Sequence, residues 1–288
     1  MPAITQTLQQ ALRHGAAILA AALDLAPREA RLEVQILLCR ALGKPRAWLV
    51  AHDRDALDAD QAHTFSALFE RRLAGEPIAY IVGEREFYGL GFKVSPAVLI
   101  PRPETELLVE LALARLPENQ ASRVLDLGTG SGAIALAIAR HRPHSEIVAV
   151  DLSAAALEIA QENSRRLGVA NIRFLRGAWF DALPARERFD VIVSNPPYVA
   201  AGDPHLRQGD LRFEPATALA SGEDGLDDLR RIIVGAPFHL APGGWLLFEH
   251  GYDQAPACRE LLRLAGFLDV SSSADLAGIE RVTQGRKL

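Results

Sequence analysis

From Ile4 to about Gly75 apolar residues return every three or four positions: Ile4, Leu8 and Leu12, then Leu32, Ile36 and Leu37, then Phe65, Leu68 and Phe69. That spacing lays each set along one face of a helix. Breaks fall at Ala26-Pro27 and at Gly43-Lys44-Pro45. Residues 1–76 are therefore expected to form a small helical bundle. Over residues 77–100 the period is lost. The pieces of "YIVGEREFYGLGFKVSPAVL" are short, apolar or aromatic, and punctuated by Gly83, Gly89 and Gly91, which predicts a β-hairpin linker. Residues 101–288 form a third segment in which strand-like and helix-like stretches alternate. They are 123–127 and a helix from Gly132, 146–150 and a helix from Ser153, 172–175, 191–194, 245–249 and a helix, and 281–283. Such alternation predicts an α/β domain with a largely parallel, Rossmann-like sheet covered by helices on both faces.

The length of 288 residues suits two domains, and 49% hydrophobic with 23% charged residues is the balance of an ordinary globular chain. With 31 basic and 36 acidic residues the net charge is −5, which argues against a protein that holds nucleic acid mainly through its phosphates, although a local basic groove stays open. Residues 1–80 carry nine of each sign, so the whole excess lies beyond them. For the neutral helical part, docking and plain structural support are equal readings. Cys39 and Cys258 are far apart and belong to no CxxC or Cys/His cluster, so reduced, buried thiols suited to the cytoplasm are expected. The apolar run 15–23 leads at once into Asp24, Arg28, Glu29 and Arg31, a helical pattern unlike a secretion signal. The uncharged run 232–248 is interrupted by Pro237, Pro242 and Gly243-Gly244, too short and broken to span a membrane.

Candidate chemistry begins with "VLDLGTGSGAIALAIA", a strand running through Gly128, Gly130 and Gly132 into a helix. Glycines there let the backbone turn tightly and let a ligand approach the main chain. Gly128, Gly130 and Ala133 also satisfy the dinucleotide pattern, so the loop alone leaves NAD and S-adenosylmethionine both open. Asp151 closes the next strand, 19 residues after Gly132, where a carboxylate can accept both hydroxyls of an adenosine ribose. It can equally serve the N-terminus of the helix that follows. The fourth strand runs into "VIVSNPPY". Two prolines stiffen that loop, and the Asn195 side-chain oxygen and the Pro196 carbonyl become fixed acceptors that match the two hydrogens of a planar NH2 group. Tyr198 adds a flat face. No HExxH pattern or His cluster suggests a metal, and His141 and His144 are expected to flank a loop.

An Asn-Pro-Pro-aromatic tetrapeptide after strand four, with the glycine loop after strand one, resembles the class I S-adenosylmethionine methyltransferases that act on amino groups of bases or glutamine. The blocks "LIPRPETELLVE" (99–110), "NPPYVAAGDPHLRQGDLRFEP" (195–215), "FEHG" (248–251) and "RVTQGR" (281–286) resemble, more closely, the HemK-type methyltransferases of peptide chain release factors. The resemblance covers residues from about 75 to the end. It implies a class I methyltransferase sheet and methyl transfer from S-adenosylmethionine to the amide nitrogen of the glutamine in a release factor's Gly-Gly-Gln loop. No metal, membrane or direct nucleic-acid contact is implied. Gly128, Thr129, Gly130, Ser131 and Gly132 would hold the methionine end of the cofactor and Asp151 its ribose, with Asn195 adjoining the cofactor. Trp179 would pack near the adenine. Asn195, Pro196, Pro197 and Tyr198 would hold the glutamine, with Asn195, Pro196 and Tyr198 as the catalytic set. The family's acid before that tryptophan is Ala178 here, which leaves adenine recognition to Trp179, the main chain or Asp181. Residues 101–105 either cover the cofactor or cap a helix that starts near Glu104. A ribosomal-protein glutamine methyltransferase shares NPPY. A nucleic-acid amino methyltransferase is disfavoured by the charge and by the lack of a basic arm. A non-catalytic interaction protein on this fold would have lost the glycines or Asn195, which are intact.

Overall fold

The computed structural model describes residues 6–288; Ile4, the first residue of the helical pattern, lies outside them. The chain divides between Gly83 and Glu84 into two compact units.

In the first unit five helices follow one another: α1 (Leu8–Leu23), α2 (Pro27–Leu42), α3 (Arg46–Ala51), α4 (Ala59–Leu73) and α5 (Ile78–Val82). Local chemistry sets their ends. Thr7 with Gln10 and Asp58 with Gln61 form capping boxes at the starts of α1 and α4. Pro27 opens α2, and Gly43 closes it in the left-handed conformation. On the buried face of α2, Ala30, Val34 and Leu38 pack with Leu8 and Leu19, and Leu37 is buried as well. Leu32, expected on that face, is exposed, because the i, i+4, i+8 stripe through Ala30 turns it to solvent. One buried ion pair, Arg72 on Glu33 with bonds of 2.7 and 3.0 Å, joins α4 to α2.

The second unit opens with a hairpin, β1 (Glu84–Phe87) and β2 (Leu90–Lys93), turned by Tyr88 and Gly89 at φ 52° and 73°. The predicted linker therefore divides, its first residues forming helix α5 and its hairpin belonging to the second unit. Then follow α6 (Glu106–Ala114), β3 (Arg123–Leu127), α7 (Ala133–His141), β4 (Glu146–Asp151), α8 (Ala154–Leu167), β5 (Ile172–Arg176) and β6 (Phe189–Ser194). The unit ends with α9 (Asp227–Gly235), β7 (Leu240–Glu249), α10 (Ala255–Leu264), β8 (Leu268–Ala274) and β9 (Glu280–Arg286). The seven-stranded sheet has the order β5-β4-β3-β6-β7-β9-β8, and β9 alone runs opposite to the other six strands.

Alternate strand residues serve opposite faces. Val124, Ile147, Ala149, Val191 and Val193 meet the apolar sides of α6 and α7. Leu125, Val148, Val150, Ile192 and Leu246 meet α9 and α10. The order reverses at β3, with β4 on one side and β6 on the other, so the loops leaving these three strands open onto a shared crevice. Among the described residues no helix is long and apolar enough to cross a membrane, and Cys39 and Cys258 are unbonded, Cys258 buried and Cys39 half-buried.

Candidate active site

A cleft of about 600 Å³ opens at that crevice. Residues 128–131 line it together with Asp151, Trp179, Asn195 and Pro197. Gly132, Pro196 and Tyr198 do not line it.

The glycine loop divides its labour. Gly130 lines the cleft at φ 55°, and an added Cβ would meet nothing within 4 Å, so this residue leaves its backbone open to a ligand. Gly132, at φ 81°, is a packing residue: a Cβ there would stand 3.0 Å from Leu136 and 3.2 Å from Ala160. Asp151 holds the loop through one oxygen, accepting from Gly130 N, and the start of α8 through the other, accepting from Ser153 N, at 2.8 Å each. The two roles open for this carboxylate are compatible, since each carboxylate oxygen can accept more than one hydrogen bond.

Behind the loop Asp126 is wholly buried and accepts from the Thr129 hydroxyl at 2.6 Å. Burial pushes its pKa up to about 7, against the pull of that hydroxyl. An acid whose pKa is raised by folding stabilises the fold fully below its ordinary value of 3.8 and loses that contribution as pH rises through about 7. Asp126→Asn is accordingly expected to flatten the decline in Tm that calorimetry on the wild type should give between about pH 4 and 7. An identical slope in both proteins would mean that Asp126 does not titrate there.

The NPPY loop leaves β6 at Ser194, whose hydroxyl ties the strand end to Leu127 O at 2.8 Å. The Asn195 amide nitrogen donates to Thr105 Oγ1 at 3.2 Å. Its side-chain oxygen and the Pro196 carbonyl receive no hydrogen bond among the described residues. Tyr198 presents no flat face to the cleft; its hydroxyl donates inward to Glu249 at 3.2 Å, and Gln254 holds its carbonyl at 2.9 Å. Thr105 makes no side-chain cap on α6, so of the two readings of residues 101–105 capping is set aside, and Pro101, Arg102 and Thr105 form cleft wall.

Several of these partners carry no role in the sequence reading. Arg102 pairs with the buried Glu214, whose second carboxylate oxygen accepts from Ile100 N at 3.2 Å, so "PRPETE" and "RFEP" join into one wall. Glu249 closes the buried strand β7, and a lone acid ending the apolar run "WLLFE" was the available signal. Burial pushes the Glu249 pKa up, while the Thr105 and Tyr198 hydroxyls hold it down. At the other end Trp179 stands at φ 49° with its ring 3.4 Å from where a Gly128 Cβ would lie, and Ala178 lines the cleft beside it. Asp181 lies off the cleft. Leu152, 65% exposed, adds an apolar side chain next to Asp151 that the sequence reading does not single out. Among the described residues no group of His, Cys, Asp or Glu could hold a metal ion, and His141 bonds back to its own helix at Ala137 O.

Two family models match the chain: PrmC N-terminal domain over residues 10–83 and methyltransferase domain over residues 118–255. A release factor glutamine methyltransferase of Bordetella pertussis is 56% identical over 88% of this chain and 94% of its own length. One from Escherichia coli K12 is 50% identical over 89% and 92%. The crystal structure of a T. thermophilus 16S rRNA N2 methyltransferase with AdoMet and guanosine matches 71% of this chain and 50% of its own, at TM-score 0.54 and 25% identity.

Proposed function

The chain belongs to the release factor glutamine methyltransferase family, and from that premise we propose how its residues carry the reaction. The enzyme methylates the side-chain amide nitrogen of a release-factor glutamine. We assign the Gly-Gly-Gln loop as the segment that enters the cleft, S-adenosylmethionine as the methyl donor and the cytoplasm as its place of work.

The donor suits this cleft. Gly130 offers an open backbone, Asp151 a carboxylate with lone pairs to spare, and Trp179 and Leu152 apolar surface for a purine. The T. thermophilus relative of the fold holds AdoMet, and the methyltransferase domain model spans these loops. When bound, S-adenosylmethionine supplies a methyl group already activated by a sulfonium. The chain's own task is the nucleophile.

An amide nitrogen is a poor nucleophile because its lone pair is conjugated with the carbonyl. The Asn195 oxygen, in the cleft wall and without a donor of its own, carries this reading; the Pro196 carbonyl, also without a donor but on a buried residue behind that wall, is assigned as the second acceptor once substrate is bound. Accepting the two N–H groups, they fix the nitrogen in place, favour the positive charge that grows on it, and leave the lone pair facing the cleft. Orientation of that kind can contribute about 7–11 kcal/mol. The new N–C bond would form at the expense of the donor's S–CH3 bond, whose electron pair stays on sulfur, and the nitrogen would shed one proton to water. Pro197 serves as cleft wall and Tyr198 as an anchor of the loop.

The assignment is tested by incubating the protein with isotopically labelled S-adenosylmethionine and, separately, release factor, ribosomal proteins, rRNA and DNA, then mapping the label by mass spectrometry. Label on the Gly-Gly-Gln glutamine is expected. Label confined to a ribosomal protein or to nucleic acid would overturn it.

A further inference from the structure

Pro196 and Pro197 have no N–H, so neither can tie the NPPY loop to its surroundings by donating a hydrogen bond. Their rings also lock φ, so a hold on one end of the loop is passed along to the other. The front end is fixed by β6, where the Ser194 hydroxyl bonds Leu127 O at 2.8 Å. The back end, at Tyr198, needs a hold of its own.

Gln254, the residue before α10, supplies it with both ends of one amide. Its nitrogen donates to Tyr198 O at 2.9 Å and to Asp224 O at 3.4 Å, and its oxygen accepts from Gly251 N at 2.8 Å. Only one orientation serves all three contacts, because the reverse would set the oxygen against two carbonyls. Three stretches of chain meet on this side chain: the end of NPPY, the glycine that closes "FEHG", and the turn that holds Asp224 and Gly225. Gly225 shows how closely they meet. It stands at φ 76°, and a Cβ there would lie 2.3 Å from Tyr198 O and 2.8 Å from the Gln254 nitrogen. Just beyond, Val199 donates to Leu219 O and accepts from Ser221 N, at 2.9 Å each, so the chain leaving the loop is tied down from Tyr198 onward.

We propose that Gln254 is a positioning residue of the transfer, a clamp on the Tyr198 carbonyl that sets how Asn195 and Pro196 meet the substrate amide. The clamp rests on Asn195 being the acceptor for the substrate glutamine. Gln254 lies off the cleft and touches neither substrate nor cofactor.

Two variants divide the work of the amide. Gln254→Glu keeps the shape and the acceptor for Gly251 N, but assayed at about pH 8 it has no proton to give Tyr198 O. Gln254→Met keeps the length and loses both contacts. Tyr252→Ala, at a neighbour in the same turn that is 72% exposed, is the control. Steady-state kinetics on release factor are read beside calorimetric binding of S-adenosylhomocysteine. Gln254→Glu and Gln254→Met are expected to lower kcat by about 10- to 100-fold with affinity for S-adenosylhomocysteine held within about twofold, and Tyr252→Ala to stay within about twofold of wild-type kcat. Wild-type kcat in Gln254→Glu would overturn the clamp. So would a Tyr252→Ala as damaged as Gln254→Glu, or cofactor affinity that falls in step with kcat. Asn195→Ala separates the two levels: if it stays active, the reading of Asn195 fails, whereas if it is inactive while Gln254→Glu is not, only the clamp fails.

Discussion

Replacing Asn195 by alanine is expected to lower kcat by about a thousandfold while S-adenosylhomocysteine affinity changes by less than about threefold. Two losses combine. The substrate NH2 loses one of its two acceptors, a change of the kind that costs about 100- to 1,000-fold when a preorganised polar group aimed at developing charge is removed. The remaining acceptor, Pro196 O, can then hold the nitrogen while leaving it free to rotate, and a misplacement of about 1 Å costs about 100-fold. Cofactor affinity should survive because the glycine loop and Asp151 are held by contacts that do not involve Asn195. Steady-state kinetics and calorimetry on the same protein separate these effects, and an equal fall in affinity would make Asn195 chiefly a cofactor residue.

The second large effect is expected at Asp151, on binding rather than on chemistry. Asp151→Ala should weaken S-adenosylhomocysteine by about a hundredfold, about 2.7 kcal/mol, with kcat at saturating cofactor changed by less than about tenfold. A charge-assisted bond to a ribose hydroxyl is worth about 1.5–3 kcal/mol. Two would be lost, and the loosened Gly130 N and Ser153 N would add to the cost, while partial hydration of the cleft returns some of it. Calorimetric affinity within about threefold of wild type would mean that Asp151 only supports the helix that follows it.

Much of this site was legible because its residues are adjacent in sequence. The glycine loop, Asp151 and NPPY each follow a strand, and the alternating pattern was enough to bring three strand ends to one edge. β3 lies at residues 123–127, as periodicity predicts. Elements built by long-range pairing were harder to read. β8 is an edge strand with the polar sequence "LDVSSSA", held by its antiparallel pairing with β9 and carrying no apolar alternation of its own. β7 begins at Leu240, earlier than residue 245, because Pro242 and Gly243-Gly244 look like a break but run alongside a register shift near Phe189. The same division holds within the site. Gly132 reads as a ligand glycine by spacing, and only the packing of Leu136 and Ala160 reveals its other task. Thr105 and Asn195 are 90 residues apart along the chain, and no periodicity reports that the two side chains share one wall. Tyr198 shows the limit clearly: its place in the motif suggested an outward ring, whereas the buried acid at the end of β7 draws its hydroxyl inward.

The most direct measurement is a crystal structure of the protein with S-adenosylhomocysteine and a release factor whose Gly-Gly-Gln loop is intact. The expected result is the glutamine amide nitrogen within about 3.2 Å of both Asn195 Oδ1 and Pro196 O, with the Asn195 nitrogen on Thr105. A glutamine that turns its carbonyl to Asn195, or an amide nitrogen more than about 5 Å from both acceptors, would contradict it.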